Sequence, residues 1–195
     1  IITLYAFTTD GGGFTLSNFQ DMAQYTSAFG RSFLLATIAT VVCLLIGYPL
    51  AYLLARESGW LHRMANMLIM LPMWMNFLLR TYSWKFLLER HGLINTLLGL
   101  LGLGPFQMID TQGAIVLGMV YNFLPYMVLP IFSVIEKIDP KVIEAAQDLG
   151  ADSITVFRRV ILPLSLPGVL SGISMVFIPS VSTFAISRLL GGSKT

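Results

Sequence analysis

An all-α, polytopic transmembrane helical bundle is the fold class this sequence predicts, on three observations. Of 195 residues, 55% are hydrophobic and only 11% charged, with a mean hydropathy of +0.76, against about 25% charged residues in a soluble domain. So few charges cannot cover a water-soluble globule of this size, and the apolar excess must face lipid. Long stretches carry no Asp, Glu, Lys or Arg, and the charges gather between them, as expected where burying a charge in hydrocarbon costs roughly 3 kcal/mol or more. The formal charge of +2 builds no nucleic-acid surface, and the single Cys43 cannot form an internal disulfide or a thiolate cluster.

In chain order, Ile1 to Phe7 fits the tail of an earlier span. Asp10 to Gly13 and Thr15 to Asn18 then read as a turn-rich extramembrane segment, without the basic start and small-residue cleavage site of a signal peptide. The first span is placed at 32–55, with 24 uncharged residues; the third at 111–135, with 25; the fourth at 160–187, with 28. Each exceeds the ~20 residues needed to cross ~30 Å of hydrocarbon. The second, 64–84, has 16 uncharged residues to Leu79 and continues past Arg80 to the interfacial aromatics Tyr82 and Trp84, 21 in all, which puts Arg80 near one end. The stretch 92–109 is interrupted by Gly99, Gly102, Gly104 and Pro105. Its stripe of Leu93, Leu97, Leu98 and Leu101 suits a short interfacial helix rather than a span.

Four spans leave both ends on one side of the membrane. Lys and Arg number six on each face, but they occupy 70 residues on the face holding the ends and 32 on the other. Because short loops weigh most in the positive-inside rule, the second face is the cytoplasmic one. Ala146 is therefore expected inside and Asn95 outside. Gly168 and Gly172 form a small-xxx-small pair that permits close helix approach, and prolines 125, 130, 163, 167 and 179 imply bent or broken helices facing the bundle interior.

The connection 136–159 is the most informative segment. Asp139 with Pro140 offers an N-cap followed by proline at the first helical position, and Val142, Ala145, Ala146 and Leu149 recur on one face. Gly150 ends that helix where a left-handed residue is wanted, and Asp152-Ser153 can cap a second helix leading into the next span. Three roles compete: a DNA-binding helix-turn-helix, a solvated amphipathic connector, and a docking helix whose small residues admit a partner's cleft. With four Lys and Arg against five Asp and Glu, the segment has the wrong charge for phosphate.

Glu144-Ala145-Ala146, three residues, Gly150, nine residues, Val160, one residue and Leu162-Pro163 resembles the EAA loop of ABC-importer permease subunits, with Val160 where that pattern has isoleucine. Leu124 to Pro130, Glu136 to Asp139, Asp148 to Ala151, Val176 to Pro179 and Leu189 to Gly192 resemble the spermidine/putrescine permeases of the PotB and PotH type, and the likeness runs over residues 14–195. The resemblance implies a MetI-like type I importer permease fold in a single transmembrane domain, 1–195, and a multi-pass place in the inner or plasma membrane. It implies ATPase coupling through Glu144, Ala145, Ala146, Asp148, Leu149 and Gly150. The implied partners are cytoplasmic ABC ATPase subunits, a second permease subunit, an extracytoplasmic substrate-binding protein and membrane lipid; no nucleic acid is implied. Such permeases usually have six spans, so the first is expected to lie mostly before Ile1 and the last after Thr195.

No chemistry of the chain's own emerges. Gly191-Gly192-Ser193-Lys194-Thr195 looks like the end of a phosphate-binding loop, but Ser193 and Arg188 stand where that loop needs glycine. His62 and His91 fall on opposite faces. No catalytic, metal or cofactor site is expected, and ATP hydrolysis is assigned to a separate subunit. All ten Asp and Glu lie outside the uncharged spans. A cationic substrate would therefore meet uncharged groups there: Trp74, Asn76, Tyr82 and Trp84; Tyr121, Asn122 and Tyr126; Ser180, Ser182 and Thr183. Aromatic faces hold an ammonium by ~0.5–2 kcal/mol. The competing role makes the aromatics belt anchors and turns the hydroxyls onto their own helix carbonyls. The sequence thus reads as half of the translocation path of a polyamine ABC importer. A secondary transporter or channel, which would need ion-coupling carboxylates in the spans or a repeated half, and a non-transporting membrane scaffold are the alternatives.

Overall fold

The computed structural model describes residues 26–57, 59–100, 102, 106–183, 186, 190 and 191. The expected features of residues 1–18 and of Gly192 to Thr195 lie outside them. The chain divides into two units, Ile1–Leu34 and Leu35–Thr195. The described part of the first is the opening turns of helix α1, Thr26–Arg56; the packing described below is that of the second.

After α1 come α2, Trp60–Trp74; α3, Phe77–Leu88; α4, Leu93–Leu100; α5, Gln112–Glu136; α6, Pro140–Asp148; α7, Ser153–Val156; a π-helical turn, Phe157–Ile161; and α8, Leu162–Ser182. Among the described residues, three continuous helical segments are long and apolar enough to cross a membrane: Phe29–Arg56, Gln112–Glu136 and Ser153–Ser182. They overlap the expected spans 32–55, 111–135 and 160–187; the last begins seven residues earlier because α7 and the π turn run into α8.

The stretch 64–84, expected as one span, is two helices meeting at Met75 and Asn76. Pro72 has no N–H to continue the ladder. Met75 is extended at φ −80° and ψ 145°, and Asn76 starts α3 by accepting hydrogen bonds from the N–H of Leu78 (2.9 Å) and Leu79 (3.4 Å). Arg80, expected near a span end, is 6% exposed. Its Nη1 donates to Pro72 O at 2.5 Å, and its guanidinium lies 5.9 Å from the Tyr121 ring centroid. The carbonyl end of α2 thus serves as the anionic partner, through the partial negative charge of a helix C-terminus.

Helix α5 is the interior element: 56% of its apolar window is buried, against 33% and 28% for the other two long segments. Thr111 caps it by accepting from Ala114 N–H, and it stays continuous through Pro125 and Pro130. Two faces of small residues let its neighbours approach. On α1, Ala36, Ala39, Cys43 and Ala51 are fully buried, and a Cβ on Gly47 would lie 3.0 Å from Met127 Cγ. On α8, a Cβ on Gly168 would lie 2.8 Å from Pro130 O and 3.0 Å from Ile131 Cα, and one on Gly172 would lie 2.8 Å from Met127 Sδ. This is the close approach anticipated for the Gly168/Gly172 pair, and α5 receives it. The outward faces are apolar, with Leu45 at 69%, Leu79 at 66% and Ile178 at 67% exposure, as lipid requires.

Candidate functional site

The connection 136–159 builds itself from local chemistry. Asp139 accepts a hydrogen bond from Lys141 N–H at 3.0 Å, and Pro140 occupies the first turn of α6. The helix ends at Leu149, and Gly150 takes φ 82°. Gly150 N–H returns to Gln147 O (2.8 Å) and Ala151 N–H to Ala146 O (3.1 Å), the paired bonds of a Schellman closure. Asp152 then caps α7, accepting from Thr155 N–H at 3.1 Å. Hydrogen bonding by the Thr155 side chain, then by its backbone, holds the Asp152 carboxyl below the usual carboxylate range.

No residue of α6 is buried. Glu144, Ala145, Asp148, Leu149 and Gly150 are exposed and Ala146 is half-buried. Leu149 is 90% exposed and Ile154 66%. Between α6 and the π turn lies an open groove of about 390 Å³, bordered by Ala146, Leu149, Gly150, Thr155, Val156 and Arg159. The arrangement offers a shallow, partly apolar seat beside charged rims. Among the described residues, no group of three or more His, Cys, Asp or Glu could hold a metal.

The residues singled out within the spans are distributed over several environments. Trp84 and Tyr121 meet edge-on at 5.2 Å, beside Arg80. Asn122 is fully buried, its Nδ2 donating to Gly118 O at 2.7 Å while its Oδ1 has no partner among the described residues. Tyr126 is 37% exposed and its ring lies 6.4 Å from that of Phe123. Tyr82 is exposed, Trp74 is 90% exposed at the end of α2, and Asn76 is engaged as the cap of α3. Ser180 donates to Val176 O at 2.6 Å, Ser182 contacts Ile178 O and Pro179 O, and Thr183 donates to Pro179 O. These hydroxyls are turned onto their own helix.

Sequence reasoning missed a second cluster next to the loop. Phe157 of the π turn meets Tyr48 and Tyr52 of α1 edge-on, at 6.0 and 5.2 Å. The Tyr48 hydroxyl lies 2.8 Å from Ser165 Oγ, and Arg56 stacks 4.6 Å above Tyr52. The available signal was the Tyr48/Tyr52 spacing of four, which puts both rings on one helical face.

Residues 47–195 match the family described as binding-protein-dependent transport system inner membrane component. The chain is 37% identical over 203 residues to the spermidine/putrescine transport system permease protein PotB of Haemophilus influenzae, covering 100% of this chain and 71% of that protein. It is 38% identical over 185 residues to PotB of Escherichia coli K12, covering 93% of this chain and 67% of that one. A bacterial ABC transporter involved in the import of the acidic polysaccharide alginate shares the fold, with a TM-score of 0.68 at 19% identity over 97% of this chain and 66% of the other. The chain therefore spans about two thirds of the length of what it matches. With three long apolar helical segments among the described residues and a family match over residues 47–195, the chain belongs to the binding-protein-dependent inner membrane transport components, multi-pass permeases of the inner membrane.

Proposed function

We propose that this chain forms half of the translocation path of an ABC importer for polyamines of the spermidine/putrescine class. A second permease subunit supplies the other half, an extracytoplasmic binding protein delivers substrate, and separate cytoplasmic ATPase subunits hydrolyse ATP. The observation that carries the coupling role is Leu149, 90% exposed on a helix without one buried residue and beside a groove of about 390 Å³. With Val142 and Ile154 also exposed, three large apolar side chains stand out from one short, charged connection, and such a concentration calls for a partner's surface. Glu144, Ala145, Ala146, Asp148, Leu149 and Gly150 form the docking edge, and the connection lies on the cytoplasmic face.

ATP-driven closure of the ATPase pair would displace α6. Because α7, the π turn and α8 follow one another without a loop, that displacement enters the membrane along α8, which bears on α5 at Gly168 and Gly172. Alternating access follows from the tilt of these packed helices. The polyamine assignment is supported by the PotB relatives and by spans that oppose a cation with ring faces rather than carboxylates. Arg80 already occupies the neighbourhood of the Tyr121 face, which leaves Tyr126 as the better candidate for the path in α5, with Tyr82 in α3.

The test is reconstitution of the full transporter with radiolabelled spermidine. Uptake dependent on ATP and binding protein is expected, and Leu149→Asp should abolish ATPase co-purification while the permease still inserts. Undiminished co-purification of Leu149→Asp refutes the docking role.

A further inference from the structure

We propose that Tyr48 is the positioning residue that passes movement of the coupling loop to α1, acting through Ser165 and the π turn; this rests on the ATPase-coupling role above. The hydroxyl accounting fixes the direction of the contact. Ser165 donates its one hydrogen to Leu162 O at 2.9 Å, so across the 2.8 Å gap Tyr48 is the donor and Ser165 Oγ the acceptor. Ser165 is fully buried, where a hydrogen bond is electrostatically stronger than at a wet surface.

The second point of attachment lies on the other side of the π turn. Phe157, its first residue, is held by the rings of Tyr48 and Tyr52, and Arg56 covers Tyr52. One face of α1 therefore grips the rod running from the loop into the membrane at residue 157, nearer the loop, and at residue 165, nearer the bilayer. Between them Leu162 N–H bonds Phe157 O, five residues back, and Pro163 brings no N–H to the next turn. π turns are rare and concentrate at functional sites. Reverting this one to α geometry would shift the register by one residue, a rotation of about 100°. That rotation would carry Phe157 off the two tyrosines while Ser165 stayed in place.

Both attachments cannot survive such a change unless α1 follows. With the Tyr48 hydroxyl present, turning of the loop-side segment is transmitted to α1; without it, the motion is taken up by slip between the two helices. None of these residues belongs to α6, so the role is distinct from docking.

The full transporter, assembled with its ATPase, partner permease and binding protein in proteoliposomes, tests this through spermidine uptake and ATP hydrolysis measured together. Tyr48→Phe is expected to lower the spermidine taken up per ATP hydrolysed roughly three- to tenfold, the scale of one neutral buried hydrogen bond, with ATPase co-purification and basal hydrolysis unchanged. Ser165→Ala should do the same. The double variant should be no worse than Ser165→Ala alone, since the Tyr48–Ser165 bond is already lost in each single variant. Phe157→Leu, which keeps bulk and removes the ring edges, should shift the ratio in the same direction. An unchanged ratio in Tyr48→Phe, or a double variant equal to the product of the singles, overturns the proposal; so does a parallel fall in assembly, hydrolysis and uptake, the mark of a merely structural role. Absence of ATP-driven uptake in the parental assembly would instead overturn the importer reading beneath it.

Discussion

Gly150 separates two costs that the sequence merges. A side chain there is expected to strain the backbone and to collide with the ATPase. In the structure Gly150 stands at φ 82°, and a Cβ built on it meets nothing within 4 Å. Within the chain the cost is therefore conformational, about 1–2 kcal/mol for a residue bearing Cβ in the left-handed region. It is greatest for β-branched valine and least for asparagine, which visits that region readily. Only Ile143 and Ala146 of α6 pack, half-buried, against the core, so little tertiary packing offsets the loss, and 1–2 kcal/mol opens its last turn about 5- to 30-fold more often. Exchange of the Gly150 and Ala151 amides, whose bonds to Gln147 O and Ala146 O close the helix, should accelerate in the order Asn, Ala, Val. ATPase co-purification and spermidine uptake should fall in the same order while membrane insertion persists. If Gly150→Asn and Gly150→Val impair coupling equally, bulk at the docking surface is responsible and the backbone reasoning is refuted. If all three transport at the parental rate, the docking role loses its support.

Topology is tested by cysteine labelling with an impermeant maleimide in intact cells: His91→Cys should label and Lys141→Cys should not. These exposed positions replace Asn95, which is 5% exposed and tied to Phe106 and Glu89, and the half-buried Ala146, and native Cys43 is fully buried. Gly168→Ala should destabilise by roughly 1–3 kcal/mol through overpacking on backbone atoms of α5, whereas Gly113→Ala, whose Cβ would meet only Thr111 Oγ1 at 3.8 Å, should be neutral or slightly stabilising; thermal unfolding in detergent compares them. Asp152 has a depressed pKa, so its cap is intact above the usual carboxylate range and is lost as pH falls below it. Amide exchange at Thr155 should show that pH dependence in the parental chain, constant protection in Asp152→Asn, and little protection at any pH in Asp152→Ala. Tyr126→Leu, which keeps bulk but removes hydroxyl and ring face, should lower spermidine uptake while ATP hydrolysis stays coupled; unchanged uptake returns Tyr126 to packing.

What the sequence made legible is what short-range chemistry decides. A span must exclude charge over ~20 residues, so α1, α5 and α8 could be found by measuring uncharged length. The caps at Asp139 and Asp152 and the left-handed Gly150 depend on neighbours within three or four positions. Uncharged length does not reveal where a backbone ladder stops, and so the division at Met75 and Asn76 went unread. Its signal was a proline at 72 followed by a capping asparagine at 76. Arg80 looked like a span end because charge is normally expelled from hydrocarbon; the carbonyl that retains it, Pro72 O, also accepts from Met75 N–H at 3.3 Å, at the end of α2 where the helix stops. Tyr48 and Ser165 are 117 residues apart, beyond any periodicity.

The same logic narrows the path. Ser180, Ser182 and Thr183 have spent their donors on carbonyls of their own helix. A hydroxyl so engaged offers a passing ammonium only its remaining lone pairs. Asn122 differs, because its amide nitrogen is satisfied by Gly118 O while Oδ1, an acceptor suited to an ammonium, has no partner among the described residues. Asn122 and Tyr126 are four apart and share a helical face, but Asn122 is fully buried where Tyr126 is partly exposed. A cation could therefore reach the ring of Tyr126 first, and the carbonyl of Asn122 only if α5 and its neighbours separate. Under the proposed transport role, that order would make the asparagine a contact of the open path and the tyrosine a contact of its threshold.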